Sequence, residues 1–433
     1  MERSYGSQGH EIDVEVLVCG GGMAGSVSAI AAGRQGASTL LVERWGFLGG
    51  SATAAAVGQF VGWETAAGRQ VVLGIAEEIV QRLLERGSAF GHTHFVMSTG
   101  HRMDRVSYDP EALKLVLDEM VQEAGTRVLF HAMVAAVHTR ERTIDEVALL
   151  TKSGPIKVRP RMVIDATGDL DVLARAGGTF LPLAEGEMLQ PATMMFRFGP
   201  INYDRFEALT ADEQEKFARR GVEQGALARA ALHQSRIPGT DDGWFNITRV
   251  ALDATDPFAL SAAEIEARRQ AFAAAAYLTA VVPGCEKGKL TALAPQLGIR
   301  ETRRLRGLYV LSADDIRAGR RFEDTIAVGA YPMDIHPARG TGLSVETLGE
   351  DHWYEIPYRC LVPCEFENVL VAGRGISATH QAHAATRVMP TCMAIGHAAG
   401  TAAALIARSR GNAQDVEVDA IRDALRGSGA FLP

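Results

Sequence analysis

Short apolar runs that end at small residues alternate with longer helical stretches along this chain. Residues 14–18 form the first apolar run, which predicts a strand, and the Ala-rich stretch 24–32 predicts the helix that follows it. Residues 38–42 predict a second strand after that helix. Later apolar runs stop at small residues in the same way, at 161–169 and at 368–374, and a helical stretch follows at 393–407. Strands that alternate with helices predict an α/β fold with a parallel sheet.

The turn between the first predicted strand and its helix is rich in glycine. Gly20 permits a tight turn, Gly22 lets the backbone approach a phosphate, and Gly25 allows close packing of helix and strand. The helix N-terminus then offers unpaired N–H groups to an anion. Glu43 ends the second strand, where a carboxylate that bonds a ribose hydroxyl is expected. The pattern therefore predicts a bound dinucleotide.

Composition and charge narrow the class of protein. The chain has 433 residues, more than one simple domain, so two interleaved domains are expected. A formal net charge of -8 without a Lys/Arg-rich block excludes nucleic acid as the main partner. Five scattered cysteines are typical of a reduced cytoplasmic protein. We expect neither a signal peptide in the polar residues 1–12 nor a stretch long and apolar enough to cross a membrane.

A second glycine-rich turn follows Arg44. Gly49, Gly50 and Ser51 form this turn, which is suited to laying backbone amides against a phosphate or a ring edge. Two later strands also run into glycine junctions, at residues 166–168 and at Gly373. Three such junctions from distant parts of the sequence predict one sheet assembled around a single large cofactor.

These segments resemble the FAD-dependent oxidoreductases of the glutathione-reductase-like fold, and more closely the bacterial FAD-dependent oxidoreductase family. The resemblance extends from Val14 to about Arg408, and further matching segments lie at 109–113, 297–304, 356–359 and 387–393. It implies a Rossmann-like FAD-binding domain with βββ-type meander insertions and a second α+β substrate or cap domain. The implied division is an N-terminal tail at 1–12, a discontinuous FAD-binding domain at 13–180 and 366–433, and a cap at 181–365. Within the cap, helices are predicted at 210–228 and 262–280 and a strand at 245–248.

The resemblance also implies a role for each matched segment toward FAD. The backbone near Met133 and Val134 would contact the adenine edge. In the wider fold an acidic residue often follows the last glycine-containing strand, whereas this chain has Arg374, which is able to bind phosphate through two hydrogen bonds. The C-terminal helix, with Thr391 as its cap, would point its N-terminus at the flavin pyrimidine. The expected FAD-binding residues are Gly20, Gly22, Met23, Ala24, Gly25, Glu43, Arg44, Gly49, Gly50, Ser51, Val134, Ala166, Thr167, Gly168, Gly373, Arg374, Arg387 and Thr391.

Three histidines are candidates for proton transfer. His336 follows Asp334 by two residues and is suited to take a proton from a substrate C–OH or amine while hydride moves to the flavin. The alternative is a loop histidine that pairs with Asp334 or with solvent. The resemblance places His380 and His383 near the isoalloxazine edge. Their spacing also suits a metal pair, but no third ligand stands nearby, so no metal site is expected.

Arginines supply the remaining candidates. Arg300, Arg303 and Arg304 are candidates to anchor a substrate carboxylate or phosphate, and the alternative is an ion-pair cluster on a solvated face. Arg359 and Arg387 are candidates to reach the flavin pyrimidine or the substrate, and Arg359 completes the set of catalytic candidates.

Two cysteines lie close together beyond Arg359. Cys360 and Cys364 lack Cys-x-x-Cys spacing and are expected to be buried thiols without a redox role.

The leading hypothesis is a cytoplasmic flavin enzyme that transfers a hydride between a small organic substrate and N5 of FAD. The alternative is a monooxygenase or hydroxylase that uses a nicotinamide donor and O2, and a third is a protein that keeps the fold for binding alone. Partners are a small-molecule substrate, NAD(P)H or O2 as candidate co-substrates, and neither nucleic acid nor membrane, with a homo-oligomer left open.

Overall fold

The structure is a computed structural model that describes residues 11–96 and 101–433. Its strands are β1 (Glu11–Cys19), β2 (Thr39–Val42), β3 (Gln59–Val61), β4 (Ala89–Val96), β5 (Arg102–Tyr108), β6 (Arg127–Leu129), β7 (Met133–Arg140), β8 (Thr143–Thr151), β9 (Gly154–Asp165), β10 (Phe196–Gly199), β11 (Gln234–Arg236), β12 (Gly243–Phe245), β13 (Lys289–Leu293), β14 (Thr325–Gly329), β15 (Met333–Ile335), β16 (Ser344–Glu346), β17 (Tyr354–Pro357) and β18 (Val369–Val371). Its helices are α1 (Met23–Arg34), α2 (Ile75–Glu85), α3 (Pro110–Glu123), α4 (Asp171–Ala176), α5 (Tyr203–Glu207), α6 (Ala211–Glu223), α7 (Pro257–Val281), α8 (Ala313–Ala318), α9 (His380–Thr386), α10 (Met389–Ser409) and α11 (Val418–Gly427).

A mixed sheet forms the centre of the nucleotide-binding part. Strands β6, β2, β1 and β9 run parallel in that order, and β18 pairs in parallel with the carboxyl-terminal end of β9. The amino-terminal half of β9 pairs instead with β8, which pairs antiparallel with β7. This β7–β8–β9 meander and the parallel strands confirm the predicted Rossmann-like fold class. Because parallel strands end at one edge of a sheet, four distant loops meet beyond β1, β2, β9 and β18.

A smaller antiparallel sheet carries the second core. Its strand order is β11, β12, β10 and β13, and α6 and α7 pack beside it. Phe196, Phe198 and Phe245 stack inside this core, which extends over buried residues from Ala192 to Leu297. Buried residues between Leu305 and Val362 belong instead to the core of the large sheet. The domain boundaries at 180 and 365 stay a prediction.

Helix α10 packs directly against α1. A Cβ atom at Gly396 would lie 2.3 Å from the Ala24 carbonyl oxygen, and one at Gly400 would lie 2.1 Å from that of Ser28. Only glycine permits this approach, which brings the N-terminus of α10 to the same sheet edge as the N-terminus of α1.

Two expectations about α10 need correction. The helix begins at Met389 with Val388 as its N-cap, so Thr391 lies inside the first turn and does not cap it. The expectation that no stretch is long and apolar enough to cross a membrane is wrong for this helix by length and composition. Most of its apolar stretch is buried inside the protein, as in the core helix of a folded domain.

Candidate functional site

A cavity lies at the carboxyl edge of the parallel strands and is lined by the loops that follow them. Of the expected FAD-binding residues, Gly25, Gly49 and Thr391 do not line it, and the others do. Further residues that line it are Val42, Trp45, Ala132, Met133, Asp169, Asp171, Arg175, Gln296, Ile299, Ala372, Met389 and Cys392. We call this space the cofactor cavity.

Each of the three glycines in the first turn is suited to its position for a different physical reason. Gly20 has φ +99°, and a Cβ there would lie 2.5 Å from the Ala166 carbonyl oxygen. At Gly25 a Cβ would lie only 1.8 Å from the carbonyl oxygen of Gly20, so this glycine is required by packing. Gly22 is different, because a Cβ there would meet no protein atom closer than the Gly50 Cα at 3.9 Å. The space beside Gly22 belongs to the cavity and fits a pyrophosphate that approaches the backbone.

The second glycine turn supports the first. The Gly49 N–H donates to the Gly21 carbonyl oxygen at 2.8 Å, and a Cβ at Gly50 would lie 2.8 Å from the Gly22 Cα. Gly49 therefore acts through the backbone of the first turn and has no surface in the cavity.

Glu43 is buried at the end of β2 and is held by backbone N–H groups. Its Oε2 accepts from Gly21 at 2.7 Å, and its Oε1 accepts from Trp45 at 2.9 Å. Burial raises the pKa of Glu43, and these backbone hydrogen bonds counteract part of the rise. Each oxygen retains a further lone pair for a ribose hydroxyl.

A residue of the other core reaches the adenosine side of the cavity. Gln296 Oε1 accepts from Arg44 at 2.6 Å and from the Trp45 indole N–H at 3.1 Å. This hydrogen bonding links the segment after Glu43 to the region next to β13.

Arg374 is neutralised by the protein itself. Its guanidinium donates to Asp169 at 2.6 Å, and the same carboxylate oxygen accepts from the Thr302 hydroxyl at 2.7 Å. Burial alone would raise the pKa of Asp169, but the charge of Arg374 and the two hydrogen bonds lower it below its ordinary value. An acid is thus present in this part of the cavity, supplied from the loop after β9. Asp169 ends the segment 165–169, which the sequence already assigns to the cofactor, and this position could have identified it as the acid.

A second cavity of about 400 Å³ adjoins the first, a volume that suits a small organic molecule. Ser51, Ile299, Arg374, Arg387 and Met389 line both cavities and so form their common wall. We call this second space the substrate cavity. It also contains His336, Asp334 and Tyr331.

Asp334 connects the polar side chains of the substrate cavity. Its Oδ2 accepts from the Tyr331 hydroxyl at 2.8 Å and lies 3.3 Å from His336 Nε2. Burial alone would raise the pKa of Asp334, but His336, Arg387 and Tyr331 together lower it. Burial and the positive charge of Arg300 lower the pKa of His336 to about 2. The pair is therefore an ionised carboxylate and a neutral imidazole, and Nε2 is the ring nitrogen close to Asp334.

Arg387 stands at the common wall. It donates to the Asp334 carbonyl oxygen at 3.1 Å and lies 3.7 Å from the Asp334 carboxylate. Its Nε is buried and has no hydrogen-bond partner among residues 11–96 and 101–433. This orphaned donor, together with the N-terminus of α10, fits a cofactor or substrate acceptor at the wall.

The three arginines at 300–304 have different surroundings and therefore different roles. Arg300 lines the substrate cavity. Arg304 is buried against Glu301, with Nε to Oε1 3.3 Å, and donates to two backbone carbonyls. Arg303 donates to the Asp169 carbonyl oxygen at 2.8 Å. The predicted anchoring role thus fits the position of Arg300, whereas Arg303 and Arg304 hold the fold together.

Three catalytic candidates lie away from both cavities. His380 is buried with Nδ1 2.9 Å from Glu301 Oε1, and His383 is fully buried behind it. Burial lowers the pKa of His383 to about 3. Arg359 lies on the surface and forms two hydrogen bonds with Asp324. The expected positions of these residues are corrected, because α9 turns its histidines into the protein and the turn at Tyr358–Cys360 directs Arg359 outward.

The two cysteines also differ from expectation. Cys360 is buried as predicted, and burial raises its pKa. Cys364 is exposed, so the prediction of two buried thiols is wrong for this residue.

Sequence reasoning missed several residues of the substrate cavity. Arg229, His233, Asn246 and Gln59 come from short strands or loops whose residues carry no motif. Gln59 Nε2 and His233 Nε2 lie 2.7 Å apart. Burial and the charges of Arg229 and Arg105 lower the pKa of His233 to about 3, so it is neutral.

Comparison with known proteins identifies the family. A family model described as FAD dependent oxidoreductase matches residues 15–425. None of the curated protein sequences compared with this chain matches it.

Solved structures that resemble this one are distant in sequence. They include a geranylgeranyl bacteriochlorophyll reductase-like protein from Thermoplasma acidophilum, at 13% identity over 96% of this chain and 83% of that chain, with a TM-score of 0.49. A flavin-dependent brominase is 12% identical over 95% and 83%, with a TM-score of 0.49. A p-nitrophenol 4-monooxygenase from Pseudomonas putida is 12% identical over 97% and 84%, with a TM-score of 0.43.

Proposed function

We propose that this chain, which belongs to the FAD-dependent oxidoreductase family, oxidises a small organic substrate by two electrons in the substrate cavity. The observation that carries the proposal is the position of His336, with Nε2 3.3 Å from Asp334 Oδ2, in a cavity that shares a wall with the cofactor cavity. FAD bound in the cofactor cavity would supply N5 as the acceptor of one hydride, which is one proton with two electrons.

The residues of this chain would hold and deprotonate the substrate. A C–OH or C–NH group that loses hydride to the flavin must also lose the proton on its oxygen or nitrogen. His336 Nε2 lies 3.3 Å from Asp334 Oδ2; with the ring hydrogen on this nitrogen, Nδ1 is the one that would accept the substrate proton. Asp334 then stabilises the imidazolium, and the Tyr331 hydroxyl, which donates to the same oxygen Oδ2, fixes the carboxylate. The substrate becomes a carbonyl or imine, and no atoms remain unaccounted for.

The cofactor side supports the proposal through contacts that need no substrate. Glu43 would receive the ribose, the space beside Gly22 the pyrophosphate, and Arg387 Nε an acceptor at the wall between the cavities. The Asp169–Arg374 pair would border the bound cofactor, since both residues line the cofactor cavity.

The test is anaerobic mixing of the holoenzyme with sugars, amines, hydroxy acids and nicotinamide donors, followed by loss of the oxidised-flavin absorbance. We expect an organic substrate to bleach the flavin, and His336→Gln to slow this by about 10²- to 10⁴-fold while full flavin content is retained. His397→Gln is the matched control, because His397 is also a buried neutral histidine but bonds Ser428 far from both cavities.

Two results would count against the proposal. Reduction of the His336→Gln variant at the wild-type rate would remove His336 from proton transfer. Bleaching by NADH or NADPH alone, with rapid reoxidation by O2 and oxygen insertion into an added aromatic, would favour the monooxygenase alternative.

A further inference from the structure

We infer that the substrate is an organic anion whose acid group binds between Arg229 and Arg300 in the substrate cavity. This inference deepens the proposed function and rests on it for the identity of the cavity. The acid group is a carboxylate or a phosphate, since guanidinium groups bind both through paired hydrogen bonds.

The arginines that line the cavity differ in their partners. Arg374 is paired with Asp169, and Arg387 lies near Asp334. Arg229 and Arg300 line the same cavity, and neither has a carboxylate within 4.0 Å in the described part of the chain. Neither positive charge therefore has a direct ion pair among the described residues, and the Asp334 carboxylate, which also faces His336 and Arg387, acts on both from a greater distance.

Both of these guanidinium groups are held in place by neutral oxygens. Arg300 donates through one terminal nitrogen to the Pro191 carbonyl oxygen and to the Thr193 hydroxyl, the latter at 2.9 Å. Arg229 has a long hydrogen bond of 3.4 Å to the Asn246 carbonyl oxygen. These contacts orient the side chains but do not balance their charge, so other donors of each fork remain for a ligand.

Positive charges lie close together in the substrate-free cavity, and the Asp334 charge offsets part of their repulsion. Burial lowers the pKa of Arg300 well below its ordinary value, and the positive charges of Arg387 and Arg229 lower it further. Burial also lowers the pKa of Arg229. Arginine nevertheless stays protonated in proteins, so the charges repel each other in a partly desolvated space. A bound anion removes this repulsion, which gives the binding of an acid group a larger gain than it would have at the surface.

The remaining residues of the cavity indicate the chemistry of the rest of such a ligand, apart from its acid group. The other residues that line the cavity are mostly apolar and include Val57, Phe95, Met103, Met195, Leu343 and Val388. An acid with a compact apolar body matches both parts. An anion beside Arg300 also reduces the repulsion that Arg300 exerts on protonated His336, so binding of the acid group would assist proton acceptance at the neighbouring ring.

The experiment titrates oxidised holoenzyme with ligands that share one body, namely benzoate, phenyl phosphate, benzamide and benzylamine. Binding is read from the change in flavin absorbance and checked by calorimetry. We expect benzoate or phenyl phosphate to bind at least tenfold more tightly than benzamide and benzylamine, and the order of these two anions identifies the acid group. If neither anion binds more tightly than benzamide, the inference fails.

Variants locate the effect. Arg229→Gln and Arg300→Gln should each weaken anion binding about 10- to 100-fold with flavin content unchanged, whereas Arg268→Gln, on the exposed side of α7, should not. A second readout keeps the test sharp if a variant is poorly folded. In the absence of ligand, Arg229→Gln should raise the midpoint of thermal unfolding by about 1–3 °C, because it removes a repulsion. A lowered midpoint together with unchanged anion affinity would overturn the inference.

These measurements need no turnover, so they separate the two proposals. Anion binding that depends on Arg229 supports the inference even if His336→Gln is reduced at the wild-type rate. Selective reduction that requires His336, but by neutral substrates only, would leave the proposed function and remove the anionic substrate.

Discussion

Alanine at Gly22 and alanine at Gly25 should separate cofactor binding from folding. Gly22 has φ -65° and ψ 180°, which alanine adopts without strain, and its Cβ would meet no protein atom within 3.9 Å. At Gly25 the added Cβ would lie 1.8 Å from the Gly20 carbonyl oxygen and 3.0 Å from the Ala166 Cβ. The two substitutions add the same atom three residues apart, so one is the control for the other.

The expected magnitudes follow from these contacts. The free energy of unfolding of the apoprotein should change by less than about 1 kcal/mol for Gly22→Ala, since the loss of a good N-cap and the reduced freedom of the unfolded chain oppose each other. Overlap of the new methyl group with the pyrophosphate should cost about 1–3 kcal/mol of FAD binding, which raises Kd by about 5- to 150-fold. Gly22→Val should abolish flavin retention. Gly25→Ala must move α1 away from β1 and should lower the apoprotein's stability by about 3 kcal/mol.

The assay uses flavin-free protein. Urea unfolding followed by circular dichroism gives the stability of each apoprotein, and quenching of FAD fluorescence gives Kd. Wild-type FAD affinity in Gly22→Ala would refute the reading of the space beside Gly22 as the pyrophosphate site. Equal destabilisation of the two apoproteins would refute the distinction between a glycine required by the ligand and one required by packing.

Two further predictions concern buried titratable groups. Burial lowers the pKa of His397 to about 4, so the unfolded chain binds its proton first, stability falls as pH drops below about 6.5, and at pH 5 this costs about 2 kcal/mol. His397→Gln keeps a hydrogen-bonding group toward Ser428 without titrating, and urea unfolding at pH 7, 6 and 5 should show the variant gaining stability relative to wild type; a constant difference would contradict this sign. Glu301→Gln leaves the buried Arg304 charge unpaired beside His380 and should lower the free energy of unfolding by about 3–5 kcal/mol, whereas a loss below 1 kcal/mol in urea would show that the pair is dispensable.

The amino-acid sequence by itself determined the elements and the cofactor turn. Gly20, Gly22, Gly25 and Glu43 act within one strand–turn–helix–strand segment, so their spacing already contains the geometry that a dinucleotide requires. The same holds for the glycine junctions at the ends of later strands. Apolar runs and helix periodicity are local properties, and the fold class follows from their order along the chain.

Only the tertiary structure decided which charged side chains meet. Arg374 and Asp169 are 205 residues apart, and their pairing turns an expected phosphate ligand into a neutralised pair. Among Arg300, Arg303 and Arg304, neighbouring positions in an irregular segment have different surroundings, and the sequence has no period that could separate them. His380 and His383 lie in α9, the first helix after β18, and yet they are buried and line neither cavity.

Arg229 shows most clearly what the sequence alone does not predict, because nothing in its own segment indicates a function. Its importance comes from Arg300 and from the lack of a carboxylate within 4.0 Å of either residue in the described structure, a property of the cavity that both residues line. Local chemistry fixes what each segment becomes, whereas charge balance depends on every group that folding brings within a few ångströms. For that physical reason the sequence was enough to predict the segments that would bind FAD, and the structure was needed to infer the charge of the substrate.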